Sequence, residues 1–182
     1  MATNQQAPAD ETPWHAAFPT PKAKCAEIEP EEVSKLLEGL PTSNDHNQAR
    51  DFLLVDVRRT DWEGGTVATS INLPAQSLYP TRPVIYQMAK QAGVKRVIFY
   101  CGRLDFNSSR LDVALILGVT LSGSSNGRGP RSAAWLQDYI DEISDKEMKA
   151  LVMKGGIKGW VRKYGGQHMD WYDEKFWAEK KE

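Results

Sequence analysis

Two short, unbroken hydrophobic runs constrain the fold of this chain more than any other feature. Phe52 to Val55 and Val97 to Tyr100 each have the length of one strand, and every position in them is hydrophobic. Such runs are typical of strands buried on both faces of a parallel sheet. Ala150 to Met153 is a third candidate strand. Because helical patterns separate the runs, the sequence predicts an α/β fold, a parallel sheet flanked by helices on both faces.

The predicted helices lie around these strands. Pro30 suits the first position of one helix, and Gly39 ends it. The other helices are predicted from about Pro83 to Gly93, from Pro130 to Ile140, over 157–164 and, as an amphipathic C-terminal helix, over 170–182. We expect the following side chains to pack on the core: Val84, Ile85, Met88, Trp171, Phe176 and Trp177.

The length of 182 residues corresponds to one domain with tails. We assign the domain to residues 25–167 and a helical extension to 168–182. Residues 1–24 hold four prolines and are predicted to form a disordered tail, in which Trp14 and Phe18 are the side chains able to dock.

The charge balance excludes some classes of partner. The 23 basic and 24 acidic residues give a net charge of −1, whereas sequence-independent nucleic-acid binding needs a basic excess. We therefore expect no nucleic-acid and no membrane partner.

Two cysteines are too few for a disulfide framework, and no Cys and His spacing matches a metal site. We expect an intracellular protein, cytoplasmic and/or nuclear, without a metal; the oligomeric state has no signature in the sequence.

Cys101 stands directly after a predicted strand, at the sheet edge where α/β folds bind ligands. A helix that starts near Gly129 and Pro130 would direct free N–H groups and its positive dipole end at the same place. An anion is held by such a helix end, and a nearby thiol becomes a nucleophilic thiolate.

The residues before this helix have the composition of an anion-binding loop. Their small side chains leave the backbone amides free to turn inward. These residues are Gly123, Ser124, Ser125, Asn126 and Gly127. Arg128 follows, and its planar guanidinium can hold two oxygens of a phosphate-like group. Placed directly after Cys101, the segment reads Cys-Gly-Ser-Ser-Asn-Gly-Arg.

Together with four further motifs, the strand that ends in Cys101 resembles the rhodanese superfamily. The motifs, in order, are Leu54 to Arg58, Asp61 to Gly65, Ser70 to Ala75, Val97 to Cys101 and Lys154 to Trp160. The five-residue spacing in the joined loop, followed by Gly-Pro, is similar to the branch of small dual-specificity, cell-cycle-type phosphatases and arsenate reductases. Sulfurtransferases of the superfamily carry a shorter loop.

The resemblance implies a role for each site residue. Cys101 would be the nucleophile and Arg128 would bind the oxyanion of a phosphoprotein or small oxyanion substrate. The amides of 123–127 would stabilise the transition state. Asp56 and Arg58 would brace the sheet end. No metal or organic cofactor is implied, although an arsenate reductase would need glutathione or glutaredoxin as thiol donor.

Other titratable residues receive no catalytic role. Many phosphatases of this type have a histidine before the cysteine, where Tyr100 stands here. Cys25 is expected to be structural or exposed. Three histidines are expected at the surface: His15, His46 and His168. Three acidic residues are expected on a solvated helix face, so no general acid is assigned: Asp138, Asp141 and Glu142.

The anion loop is interrupted by residues 103–123, 21 residues that separate Cys101-Gly102 from Ser124. Three interpretations stay open. The segment is a translated intron or gene-model error, a real excursion that leaves the loop formed, or a real insertion that disables the site. Four functions follow: a phosphatase acting through a phosphocysteine, an arsenate reductase, a sulfurtransferase, which the loop length disfavours, and a catalytically silent binding module.

Deletion of residues 103–123 is expected to raise both turnover and solubility. The deletion restores the five-residue spacing and removes the apolar run Val113 to Val119, an aggregation hazard when exposed. We expect weak or no catalysis from the full chain. Aryl phosphate hydrolysis and the soluble fraction after expression measure the difference, and equal values for the two proteins would contradict the prediction.

Overall fold

The computed structural model describes residues 13–40, 50–102 and 127–180. Its main element is a five-stranded parallel sheet with the strand order β1-β6-β5-β2-β4, and a second sheet pairs β3 with β7 in antiparallel fashion. The strands are β1 Ala26–Ile28, β2 Phe52–Asp56, β3 Thr66–Val67, β4 Ile71–Asn72, β5 Arg96–Tyr100, β6 Lys149–Met153 and β7 Met169–Asp170. The helices are α1 Pro30–Glu38, α2 Ala75–Gln91, α3 Arg128–Glu142, α4 Gly156–Tyr164 and α5 Glu174–Glu179.

Strand β5 lies at the centre of the sheet and is buried on both faces. Val97 and Phe99 pack into a cluster with α2 and α3, whereas Ile98 and Tyr100 pack into a second cluster with α1, α4 and α5. The predicted parallel α/β architecture with helices on both faces is confirmed. All three hydrophobic runs form strands of the main sheet, which places Cys101 at the carboxyl end of the central strand.

The second helix starts earlier than predicted. Helix α2 begins at Ala75 and contains two prolines, Pro80 and Pro83, although the helix was predicted to begin only near Pro83. Pro83 has no N–H for the carbonyl of Tyr79, and the Arg82 guanidinium donates to that carbonyl instead at 2.5 Å. The earlier start changes which residues face the core.

The predicted core face of α2 is correct at one position of three. Ile85 is buried, but Val84 is 55% exposed and Met88 is 65% exposed, so both expectations were wrong. The buried positions continue the face that starts at Ala75 and Leu78, with the spacing expected of a helix.

Residues 13–24 pack on the domain, which corrects the expectation of a disordered tail for this part of 1–24. Trp14 and Phe18 make edge-on ring contacts with Trp135, and the Trp135 indole donates to the carbonyl of Pro19 at 2.8 Å. The Asp138 carboxylate accepts hydrogen bonds from the N–H groups of Lys22 and Ala23 at 2.9 and 2.7 Å. Aromatic contact and a charged acceptor thus anchor the segment.

The C-terminal helix is shorter than predicted and follows strand β7. Trp171 precedes it and is 85% exposed, so its expected packing on the core was wrong. Trp177 is buried and Phe176 partly buried, as predicted. Gly64 has a φ of +73°, and a Cβ there would lie 2.2 Å from the Phe176 ring, so α5 docks where only glycine fits.

None of the helices in the described part of the chain is long and apolar enough to cross a membrane.

Asp138→Ala is expected to lower the free energy of unfolding by about 1 to 2 kcal/mol, because two backbone N–H groups lose a charged acceptor. Asp141→Ala is the matched control. Asp141 lies one turn further along α3 and accepts a hydrogen bond from Gln137 of its own helix. Urea unfolding of both variants measures the effect, and equal losses would contradict the anchoring role of Asp138.

Candidate functional site

Cys101 follows β5 and is buried, with 5% of its surface exposed. Its carbonyl accepts a hydrogen bond from the N–H of Ile157 at 3.0 Å, which joins the strand end to the first turn of α4. The Tyr100 carbonyl accepts from Val57 at 2.9 Å. The segments that follow the two neighbouring strands, β6 and β2, therefore both hydrogen-bond to the backbone at the end of β5.

Arg128 is the first residue of α3, and the extended Gly127 precedes it as N-cap. The helix lies directly on the strand end: a Cβ at Gly129 would be 3.5 Å from the Tyr100 Cα and 3.6 Å from the Cys101 nitrogen. The close approach of α3 to β5 brings Arg128, predicted to bind the oxyanion, next to Cys101, the predicted nucleophile, although 26 residues separate them along the chain.

Both residues line one cleft of about 460 Å³. Four basic residues line the cleft together with Cys101. Its lining residues are Arg58, Asp61, Cys101, Gly102, Gly127, Arg128, Ile157, Lys158, Phe176, Trp177 and Lys180. The structure thus brings together three of the predicted site residues. The others, Gly123, Ser124, Ser125 and Asn126, lie outside the described residues, as does the interrupting segment 103–123.

Asp61 is a cleft residue that received no role in the sequence analysis. Its two carboxylate oxygens accept from Arg128 Nη1 and Nη2 at 2.6 and 2.5 Å. The hydrogen bonds from Arg128 hold the pKa of Asp61 well below its usual range, and the same contact raises the pKa of Arg128. No local pattern marks the pair, because its members are 67 positions apart.

The predicted bracing role of Asp56 and Arg58 is confirmed. Both side chains are almost fully buried, and Arg58 donates to the Asp56 carboxylate through Nε at 2.9 Å and Nη2 at 2.7 Å. Arg58 also donates to the carbonyls of Glu63 and Gly65 at 2.8 and 2.5 Å. The pair therefore fixes the segment that carries Asp61 to the cleft.

The Tyr100 side chain points away from Cys101, into the cluster on the opposite face of the sheet. Its hydroxyl lies 2.6 Å from the Thr66 hydroxyl, accepts from the Val67 N–H at 3.1 Å and donates to Ser70 at 2.8 Å. Tyr100 thus joins β5 to the loop around β3 rather than contacting the thiol.

Cys25 is too far from Cys101 to form a disulfide. Ala26 is in register with Leu151, which pairs with Ile98, so Cys25 lies about four residues behind Cys101 and two strands away. These offsets correspond to about 13 Å along the strands and about 10 Å across them, whereas disulfides need Cα atoms within about 7 Å. Burial, with the charges of nearby acids, raises the pKa of Cys25 to about 12. Its thiol is therefore protonated at neutral pH, and its partly buried side chain packs against the cluster that contains α2 and α3.

The remaining titratable candidates lie elsewhere. Asp138 anchors residues 22–23, and neither His15 nor His168 lines the cleft. Asp141 and Glu142 are exposed, as predicted, and His46 lies outside the described residues. Across residues 13–40, 50–102 and 127–180, no group of three His, Cys, Asp or Glu side chains could hold a metal ion.

Solved structures share this architecture. A yeast protein tyrosine phosphatase of the rhodanese family aligns with a TM-score of 0.59 at 23% identity, over 86% of this chain and 99% of the other. The chain has the rhodanese fold. A second structure of the same yeast protein, a homolog of single-domain rhodanese and of the Cdc25 phosphatase catalytic domain, gives a TM-score of 0.57 at 23% identity, over 84% of this chain and 91% of the other.

An As-Sb reductase from Leishmania major also has this rhodanese architecture, with a TM-score of 0.58 at 18% identity, over 80% of this chain and 84% of the other. The structural neighbours thus include both enzyme types named by the sequence resemblance. No protein-family model matches the sequence, and no curated protein matches it.

Asp56→Asn is expected to destabilise the rhodanese domain by about 3 to 5 kcal/mol, because it leaves Arg58 buried without a counter-charge. Asp51→Asn is the matched control. It removes a carboxylate from an exposed pair with Arg96, which contributes about 1 kcal/mol or less. Chemical denaturation measures both losses, and a similar small loss in both variants would contradict the bracing role.

Proposed function

We propose that this chain is a cysteine-dependent phosphatase of rhodanese fold, a hydrolase of the protein tyrosine or dual-specificity type. The observation that carries the proposal is the shared cleft of Cys101 and Arg128. A nucleophile at a strand end and a bidentate cation at a facing helix N-terminus form the minimum apparatus for attack on a bound oxyanion.

In the proposed reaction, the Cys101 thiolate attacks phosphorus. A sulfur–phosphorus bond forms as the bond to the leaving oxygen breaks, and the leaving group takes a proton. Water then hydrolyses the phosphocysteine, which releases phosphate and restores the thiol. Arg128 and the α3 N-terminus stabilise the charge on the phosphoryl oxygens. These steps use no metal ion or organic cofactor.

The proposed substrate is a phosphoprotein or a small oxyanion. Asp61 is ionised while it is bound to Arg128, and an aspartate released from such a pair, with an ordinary pKa of about 3.9, is also ionised at neutral pH, so Asp61 has no proton to donate in either state. We therefore expect faster turnover of substrates whose leaving groups need little protonation, such as aryl phosphates.

Arsenate reduction is the second candidate, favoured by the likeness to the As-Sb reductase. Arsenate has the shape and charge of phosphate, so the same cleft would bind it. Reduction to arsenite needs two electrons from thiols. Because Cys25 lies far from Cys101, a glutathione or glutaredoxin thiol would complete the transfer as it is oxidised to a disulfide.

Cys101→Ser is expected to abolish aryl phosphate hydrolysis, because serine is not ionised at neutral pH and replaces the thiolate nucleophile. Cys25→Ser is the matched control and should retain activity. Both substitutions are tested in the full chain and in the chain without residues 103–123, with a continuous assay of phenolate release.

Three other outcomes decide between the phosphatase and two of its alternatives. Hydrolysis that survives Cys101→Ser refutes the phosphatase. Thiol-dependent arsenite release without comparable aryl phosphate hydrolysis assigns the reductase. Absence of both reactions, in the full chain and in the shorter one, assigns a catalytically silent module.

A further inference from the structure

The guanidinium of Arg128 already binds a carboxylate, that of Asp61. Two parallel N–H···O contacts join its Nη1 and Nη2 atoms to the two oxygens of Asp61. A guanidinium holds two oxygens of a phosphate group by the same side-by-side geometry. The Asp61 carboxylate therefore stands where two oxygens of a bound oxyanion would stand.

Asp61 is held in this position by its own segment. Its Oδ1 also accepts a hydrogen bond from the N–H of Arg59 at 2.9 Å. The segment is fixed in turn by the buried contacts of Arg58 with Asp56 and two backbone carbonyls. The carboxylate is thus positioned by the fold.

The two arginines of the cleft differ in how far their ion pairs are exposed to solvent. The Asp61 and Arg128 side chains are 47% and 25% exposed, and pairs open to solvent are weak. The Asp56 and Arg58 side chains are 0% and 2% exposed, and their separation would leave a buried charge unpaired. Arg128 is therefore the arginine that an incoming anion can take from its partner.

We propose that Asp61 is an internal ligand of the oxyanion subsite, which a substrate oxyanion must displace from Arg128. The inference rests on the proposed function for the identity of the anion. Asp61 acts through Arg128 and is a positioning residue. The apparent affinity for oxyanions equals the intrinsic affinity multiplied by the fraction of molecules in which Arg128 is free, so the paired state weakens binding.

The test measures binding of inorganic phosphate to the full chain by isothermal titration calorimetry. Asp61→Asn keeps an oxygen for the Arg59 N–H but removes the charge that holds Arg128. We expect it to bind phosphate roughly five-fold more tightly, as the loss of an exposed ion pair predicts. Asp61→Glu keeps the charge and should stay near the unaltered affinity.

Asp51→Asn is the matched control. It removes one negative charge from a similarly exposed pair with Arg96 and should change phosphate affinity less than two-fold. Phosphate affinity of Asp61→Asn that is equal to or weaker than that of Asp51→Asn overturns the inference, and so does absence of binding by every variant.

A second measurement needs no substitution and so does not depend on whether the variants fold. Phosphate added to the unaltered chain should shift the side-chain carboxyl carbon resonance of Asp61 and leave that of Asp51 in place. An unmoved Asp61 resonance at saturating phosphate overturns displacement. Neither readout needs the Cys101 reaction, so failure of the inference and failure of the phosphatase proposal are separate results.

Discussion

The buried ion pair between Asp56 and Arg58 is the interaction on which the cleft depends. It lies at the end of β2, and the same guanidinium binds two backbone carbonyls of the segment between β2 and β3. Asp56 also accepts a hydrogen bond from the Thr66 hydroxyl, which contacts Tyr100 of the central strand. Any other path for this segment would take the Glu63 and Gly65 carbonyls away from the buried guanidinium and leave its N–H groups without acceptors, so these contacts fix where Asp61 lies.

The strands of the sheet were predictable because their sequence signal is local. An unbroken hydrophobic run such as Val97 to Tyr100 fits a central parallel strand and little else. The start of α2 was missed because prolines normally mark helix boundaries, whereas Arg82 satisfies the carbonyl that Pro83 leaves free. Compensation of this kind depends on where a side chain folds back, which hydrophobic periodicity does not report.

The site was predictable in part. Cys101 and Arg128 carry signals of their own, a cysteine after a buried strand and an arginine at a helix start. The contact between Arg128 and Asp61 carries none, because only the folded chain joins residues so far apart in sequence. The close approach of Gly129 to the end of β5 also shows that adjacency in space and spacing in sequence are separate properties at this site.

The docking of α5 on Gly64 has a practical consequence. Phe176, Trp177 and Lys180 form one wall of the cleft, and the Trp177 indole donates to the Gly64 carbonyl at 2.6 Å. Helix α5 is thus part of the cleft wall rather than an appendage to the domain. An affinity tag fused after Glu182 would be attached two residues from that wall, so the amino end is the place for a handle in every binding or turnover measurement.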